Sequence, residues 1–206
     1  MHPEFWNIWT SIIPLTVHIQ LMLINTSSPK FTQHSLPERL MLTGVFCACI
    51  FSQLCSAVYH IFHSVAPHAL FNLDLVGVCC MSFGSPWLYV NAHGTQGLGI
   101  YMLVLFSVMM VCILKLAKAS LRNEIAACEP WILALASVGN YPTLNRPITT
   151  IATATIFIAY LLFYRLHFPE RFLQPGAADG RIWSSHVLWH VAVFIGQLGY
   201  ISTTFN

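Results

Sequence analysis

Residues 184–194 read SSHVLWHVAVF, with two histidines, His186 and His190, four apart at the head of an otherwise apolar run. An imidazole at membrane depth is expensive, so histidines found there are expected to hold something. Composition decides whether this segment lies at such depth. Of 206 residues, 56% are hydrophobic and 8% charged, against about 25% charged in a soluble domain. Nine basic and seven acidic residues are too few to cover a water-facing surface of this size. The chain therefore reads as an integral membrane protein. A net charge of +2 with no long basic run gives no sign of a nucleic-acid partner. The start, MHPEFWNIW, lacks the basic region of a cleavable signal, so the first apolar segment is expected to be retained.

A spanning helix needs about 20 mostly apolar residues. Seven stretches qualify: 5–24, 39–62, 69–90, 97–117, 126–144, 148–166 and 183–203. Breakers such as NTSSPKFTQHSLPER, HSVAPH and HFPERFLQPGAADG separate them. No connection is long enough for a soluble domain, so the expectation is one all-α, seven-helix transmembrane bundle over residues 1–206. Lys and Arg set its orientation. With a cytoplasmic N-terminus, Lys115, Lys118, Arg122, Arg165, Arg171 and Arg181 fall inside, and Lys30, Arg39 and Arg146 outside. That excess favours N-in. The seven cysteines lie in apolar stretches and read as small core residues rather than a disulfide framework.

The few polar residues in the spans are the informative ones. Ser56 and His60 lie one turn apart near the end of the second span, Asp74 opens the third, and His186 and His190 open the seventh. By parity, the second span ends on the side where the third and seventh begin. All five residues thus share one depth, near the cytoplasmic face in the N-in orientation. Histidines at i and i+4 project from one helix face with about 6 Å of rise between them. Two such imidazoles can share an ion, and a third histidine completes the set. Zn²⁺ on three protein ligands keeps its fourth position for water, the catalytic arrangement. A nearby carboxylate orients a histidine or that water, and Asp74 is the one acid in the apolar part of a span.

Each residue also has a plainer reading. His186 suits an interface and His190 a packed helix contact. A buried Ser bonds a carbonyl one turn back, and an acid is favoured at a helix N-terminus. Together, those readings require His, Asp and a His pair to meet on one face by accident. His63 competes with His60 as third ligand. His60 is preferred because Ser56 precedes it by one turn and His63 stands nearer the loop. His18 falls mid-span, where a bond to a neighbouring helix is expected. His2, His34, His68, His93 and His167 fall in loops or at interfaces. With metal bonds of about 2 Å, a shared ion requires the His60 ring within about 8 Å of the other two.

Taken in order, SAVYHIFHS, LDLVGV, FPERFLQPG and SSHVLWH resemble the progestin and adipoQ receptor family, which includes the adiponectin receptors. Asn7, Ile8 and Trp9 are similar to its entry motif, and SFGSPWLYV and SVGNYPT to its third- and fifth-helix segments. The similarity covers nearly the whole chain. It implies a seven-helix bundle with a cytoplasmic N-terminus and Zn²⁺ on three histidines, here His60, His186 and His190, with Asp74 and Ser56 beside the metal. Members of the family resemble a wider group that contains the alkaline ceramidases, which implies lipid amide hydrolysis. This chain departs from the pattern at Ser11, where the family often has histidine. The stretch from Glu170 to His186 is slightly longer than usual, the loop after His60 shorter, and the N-terminal cytoplasmic segment nearly absent.

Two functions are consistent with these residues. One is a zinc-dependent intramembrane hydrolase of a lipid amide, with Asp74 as general base and Ser56 as hydrogen-bond donor. The other is a receptor or membrane scaffold with structural zinc, responding to an adipokine, steroid or lipid. Both place a lipid or small apolar ligand in the bundle cavity, and both suit the plasma membrane or an endomembrane such as the Golgi. The short outward loops offer a small platform to a protein ligand. A transporter is disfavoured, because the ionisable residues gather near one face instead of marking a path.

Overall fold

A computed structural model of the chain describes residues 4–122, 128–142, 147–173 and 181–205. Among these, every regular element is helical: α1 (Phe5–Thr26), α2 (Pro29–Gln33), α3 (Leu36–Phe62), α4 (Pro67–Cys80), α5 (Ser85–His93), α6 (Leu98–Arg122), α7 (Glu129–Asn140), α8 (Pro147–Ala159) and α9 (Ser185–Phe205). A 3₁₀ turn, Met81–Gly84, joins α4 to α5, and a π-helical segment, Tyr160–Arg165, extends α8.

A helix stands within each of the seven stretches read from the sequence. Five segments of the described residues are long and apolar enough to cross a membrane: Phe5–Thr26, Leu36–Phe62, Pro67–Asn91, Leu98–Ala119 and Pro147–Phe172. α9 has 21 residues, but His186, His190 and Gln197 lower its hydropathy. α7 has 12, about 18 Å at the helical rise. That is short of a hydrocarbon core of about 30 Å. Residues 126–127 and 143–144 of the predicted fifth span, like Arg146, lie outside the described residues.

Local chemistry explains where helix boundaries depart from expectation. The connection 25–38 contains α2, which starts where the Ser28 hydroxyl accepts the Phe31 amide at 3.3 Å and Pro29 takes the first position. α3 begins at Leu36 because the Glu38 carboxylate accepts from both the amide and the hydroxyl of Ser35, each at 2.8 Å. This is the reaching-back half of a capping box. The third stretch is not one helix. Pro86 has no N–H and its ring opposes the carbonyl four residues back, so the chain passes through the 3₁₀ turn before α5.

Packing follows from small residues. A Cβ on Gly77 would lie 2.9 Å from the Cys55 Cβ and 3.1 Å from the Ser52 Cα. A bare backbone therefore lets α4 close on α3, as small residues do between membrane helices. Asp74, about one turn earlier, is carried onto Ser56. Leu75, Cys79, Leu105, Cys112 and Leu135 pack an apolar core between α4, α6 and α7. Leu103, Leu114, Ile148, Ile151 and Ile195 are exposed on the outside, where lipid would meet them. At one end of the bundle the last turn of α3 meets the first turns of α1 and α9. The candidate site lies there.

Candidate metal centre

His60 comes from the last turn of α3, and His186 and His190 from the first two turns of α9. The His60 ring centroid lies 5.0 Å from those of both His186 and His190, which are 4.6 Å from each other. The 8 Å requirement is met with room to spare. One ligand nitrogen from each ring lies within 4.8 Å of the others. The Nε2 atoms of His60 and His186 are 3.2 Å apart; two nitrogens on one tetrahedral zinc, each about 2.05 Å away, would be about 3.3 Å apart. The three histidines are thus positioned to bind a metal, and an all-imidazole donor set is compatible with Zn²⁺.

Their other nitrogens face α1. The Nδ1 of His60 is 3.0 Å from Glu4 Oε2, which also accepts from Asn7 Nδ2 at 2.6 Å. The Nδ1 of His190 is 3.0 Å from Thr10 Oγ1 and 3.4 Å from Ser11 Oγ. The His60 ring, followed by the Asn7 amide, holds the Glu4 carboxyl down at about 2 against the upward push of its partial burial. At ordinary pH Glu4 is a carboxylate.

The two predicted catalytic residues stand beside the trio. Ser56 is buried, within hydrogen-bonding range of Asp74 and with its Oγ 3.2 Å from that of Ser11. Asp74 does not open its helix. Pro67 starts α4 seven residues earlier, which puts Asp74 beyond the turn where the macrodipole acts. A simple N-terminal acid is therefore not the reason for its position. Ser56, Asp74, His186 and His190 line one end of a cavity of about 220 Å³, whose far end reaches Gln197 and Tyr200.

The competing histidines lie elsewhere. His63 follows the end of α3 with its ring edge-on to Tyr59, centroids 6.4 Å apart. His18 is fully buried against Phe194 of α9, edge-on at 5.6 Å. Cys47 is exposed and Cys49 buried, and all seven cysteines are free thiols.

Sequence reasoning missed three residues. Glu4, just before α1, and Thr10 within it contact the histidines, and Glu170 accepts the Ser185 amide at the start of α9. Glu170 fixes the turn that presents His186, and its charge suits a helix N-terminus. The one signal available in advance was an acid placed directly before a span, as Glu4 is.

Comparison with known proteins agrees with this architecture. An uncharacterized protein of Schizosaccharomyces pombe is similar at 25% identity over 230 aligned positions, covering 95% of this chain and 49% of that protein. The chain thus spans about half the length of this curated relative. Residues 1–201 match the family described as Haemolysin-III related. With a match along nearly its whole length, the chain belongs to the haemolysin-III-related family, the one that also holds the progestin and adipoQ receptors its motifs resemble.

Proposed function

We propose that this protein is a seven-span membrane protein with a cytoplasmic N-terminus that holds Zn²⁺ on His60, His186 and His190 and hydrolyses a lipid amide such as a ceramide. One observation carries the reading: three imidazoles converge beside Asp74 and Ser56 at the end of a largely apolar cavity. The excess of Lys and Arg on the N-terminal side supports the orientation, which puts the centre near the cytoplasmic face.

Zn²⁺ in a three-ligand site supplies Lewis acidity and lowers the pKa of water toward about 7. The protein supplies the rest. Asp74 accepts a proton from the attacking water and delivers it to the amine nitrogen as the C–N bond breaks, a general base becoming a general acid. Ser56 donates a hydrogen bond to the oxyanion that develops on the amide carbonyl. The apolar cavity takes the acyl chain and keeps bulk water away. The products are a fatty acid and a sphingoid base.

The test is release of both products from ceramide by purified protein. His190→Ala is expected to abolish it, and activity unchanged in that variant overturns the mechanism.

A second reading, a receptor or scaffold with structural zinc, is favoured by one feature. The trio ties α3 to α9 across 126 residues of chain, as a clamp would. Asp74→Asn separates the two. Lost turnover with fold and metal retained supports the enzyme. Thermal stability and ligand binding that fall in parallel on chelation, with Asp74→Asn silent, support the clamp.

A further inference from the structure

We propose that Glu4 and the first two turns of α1, which it precedes, are the outer shell of the metal centre, with Glu4 and Thr10 as positioning residues that select Nε2 of His60 and of His190 as the metal-facing nitrogens. The inference rests on the reading of the trio as a metal site.

The contacts are directional. A carboxylate only accepts hydrogen bonds, so the 3.0 Å contact from His60 to Glu4 Oε2 places the hydrogen on Nδ1. The lone pair is left on Nε2, the atom that faces His186 at 3.2 Å. Thr10 has one hydroxyl hydrogen, and its Oγ1 lies 2.8 Å from the Trp6 carbonyl. Donating there, Oγ1 accepts from His190 Nδ1 at 3.0 Å, which again frees Nε2. Each ring is thus fixed both in tautomer and in rotation.

The shell is one stripe of one helix. Glu4, Asn7 and Thr10 or Ser11 recur at three- and four-residue spacing, which places them on one face. Asn7 also holds the carboxylate, through the 2.6 Å bond to the same oxygen. Charge balance points the same way. Three neutral imidazoles leave a divalent ion uncompensated in a low-dielectric setting, where an unpaired charge is costly. Glu4, in contact with His60, supplies one compensating negative charge.

Outer-shell partners of this kind change metal affinity by 10- to 100-fold. The experiment measures Co²⁺ and Zn²⁺ affinity of the purified full chain by competition with a chelator, together with the absorption spectrum of the Co²⁺ form. Glu4→Gln, which keeps shape and loses charge, is expected to weaken binding by about 10- to 100-fold and to shift the Co²⁺ bands. Thr10→Val is expected to weaken it by up to about tenfold, with Thr10→Ser, which keeps the acceptor, restoring it. Thr16→Val, whose hydroxyl bonds only back to the Ile12 carbonyl on an exposed face, should bind like wild type. Glu4→Gln and Thr10→Val within twofold of a metal-binding wild type, with unchanged spectra, overturn the outer shell alone. A wild type that captures no metal overturns the metal site itself.

Discussion

Two regions of this bundle's interior are built on different rules. Between α4, α6 and α7, Leu105 and Cys112 are fully buried and Leu135 nearly so. Apart from the Tyr101 hydroxyl, which donates to the Val138 carbonyl at 3.3 Å, the side chains of this cluster are chosen for volume. Even Cys79 and Cys112, with sulfurs 3.4 Å apart, pack as small apolar bodies. Where α1, α3, α4 and α9 meet, the buried residues include Ser11, Ser56, His60 and His190, each facing a particular polar partner. Lipid tails are as apolar as leucine, so burying an aliphatic side chain between membrane helices gains only packing. A polar group left unpaired there forfeits its hydrogen bond and costs far more. One region is specified by volume, the other by pairing.

That contrast can be broken or sharpened by four substitutions. The largest effect is expected from His186→Ala. Zinc content measured on purified protein should fall from near one equivalent toward zero, and a variant that keeps its zinc shows that pairing does not govern this end. Next comes Asp74→Asn, expected to retain the metal while losing two to four orders of magnitude in turnover. Loss of metal as well would make Asp74 part of the binding set. Gly77→Ala joins the two regions. Its new Cβ meets Cys55 at 2.9 Å, and the overpacking should cost about 1–3 kcal/mol of stability, read by thermal unfolding. Turnover should fall with it as Asp74 is pushed off Ser56. The smallest effect belongs to Cys112→Ala in the apolar region, below about 1 kcal/mol with zinc content unchanged. If that variant sheds metal, the two regions are not independent.

The difference between the regions also explains what could be read from the sequence. His60, Asp74, His186 and His190 were legible because polar residues are rare in these spans and helix parity assigns each a depth. His60 could be preferred over His63 from its relation to Ser56 and from the position of His63 nearer the loop. Glu4 and Thr10 were not legible, because their role depends on the rotation of α1 against α3 and α9, which no spacing within α1 encodes. Asp74 was expected at a helix start, whereas Pro67 begins that helix almost two turns earlier. The 3₁₀ turn before Pro86 had a visible cause in the proline. For the π-helical segment Tyr160–Arg165, we find no sequence signal that would have announced it. Composition does not separate the spans by their polar work: those that carry Thr10, Ser56, His60 and Asp74 are among the five long and apolar enough to cross a membrane.

The sequence distance between His60 and His186 has a bearing on biosynthesis. Helices enter the bilayer in the order in which they are translated, so α1, α3 and α4 are in place long before the residues that must join them. Until α9 has been inserted and has swung against α1, His60 faces a gap and Glu4 orients a lone imidazole. On the proposed reading of the trio as a metal site, its three ligands come together only once α9 has docked, so metal capture would follow that step rather than guide it.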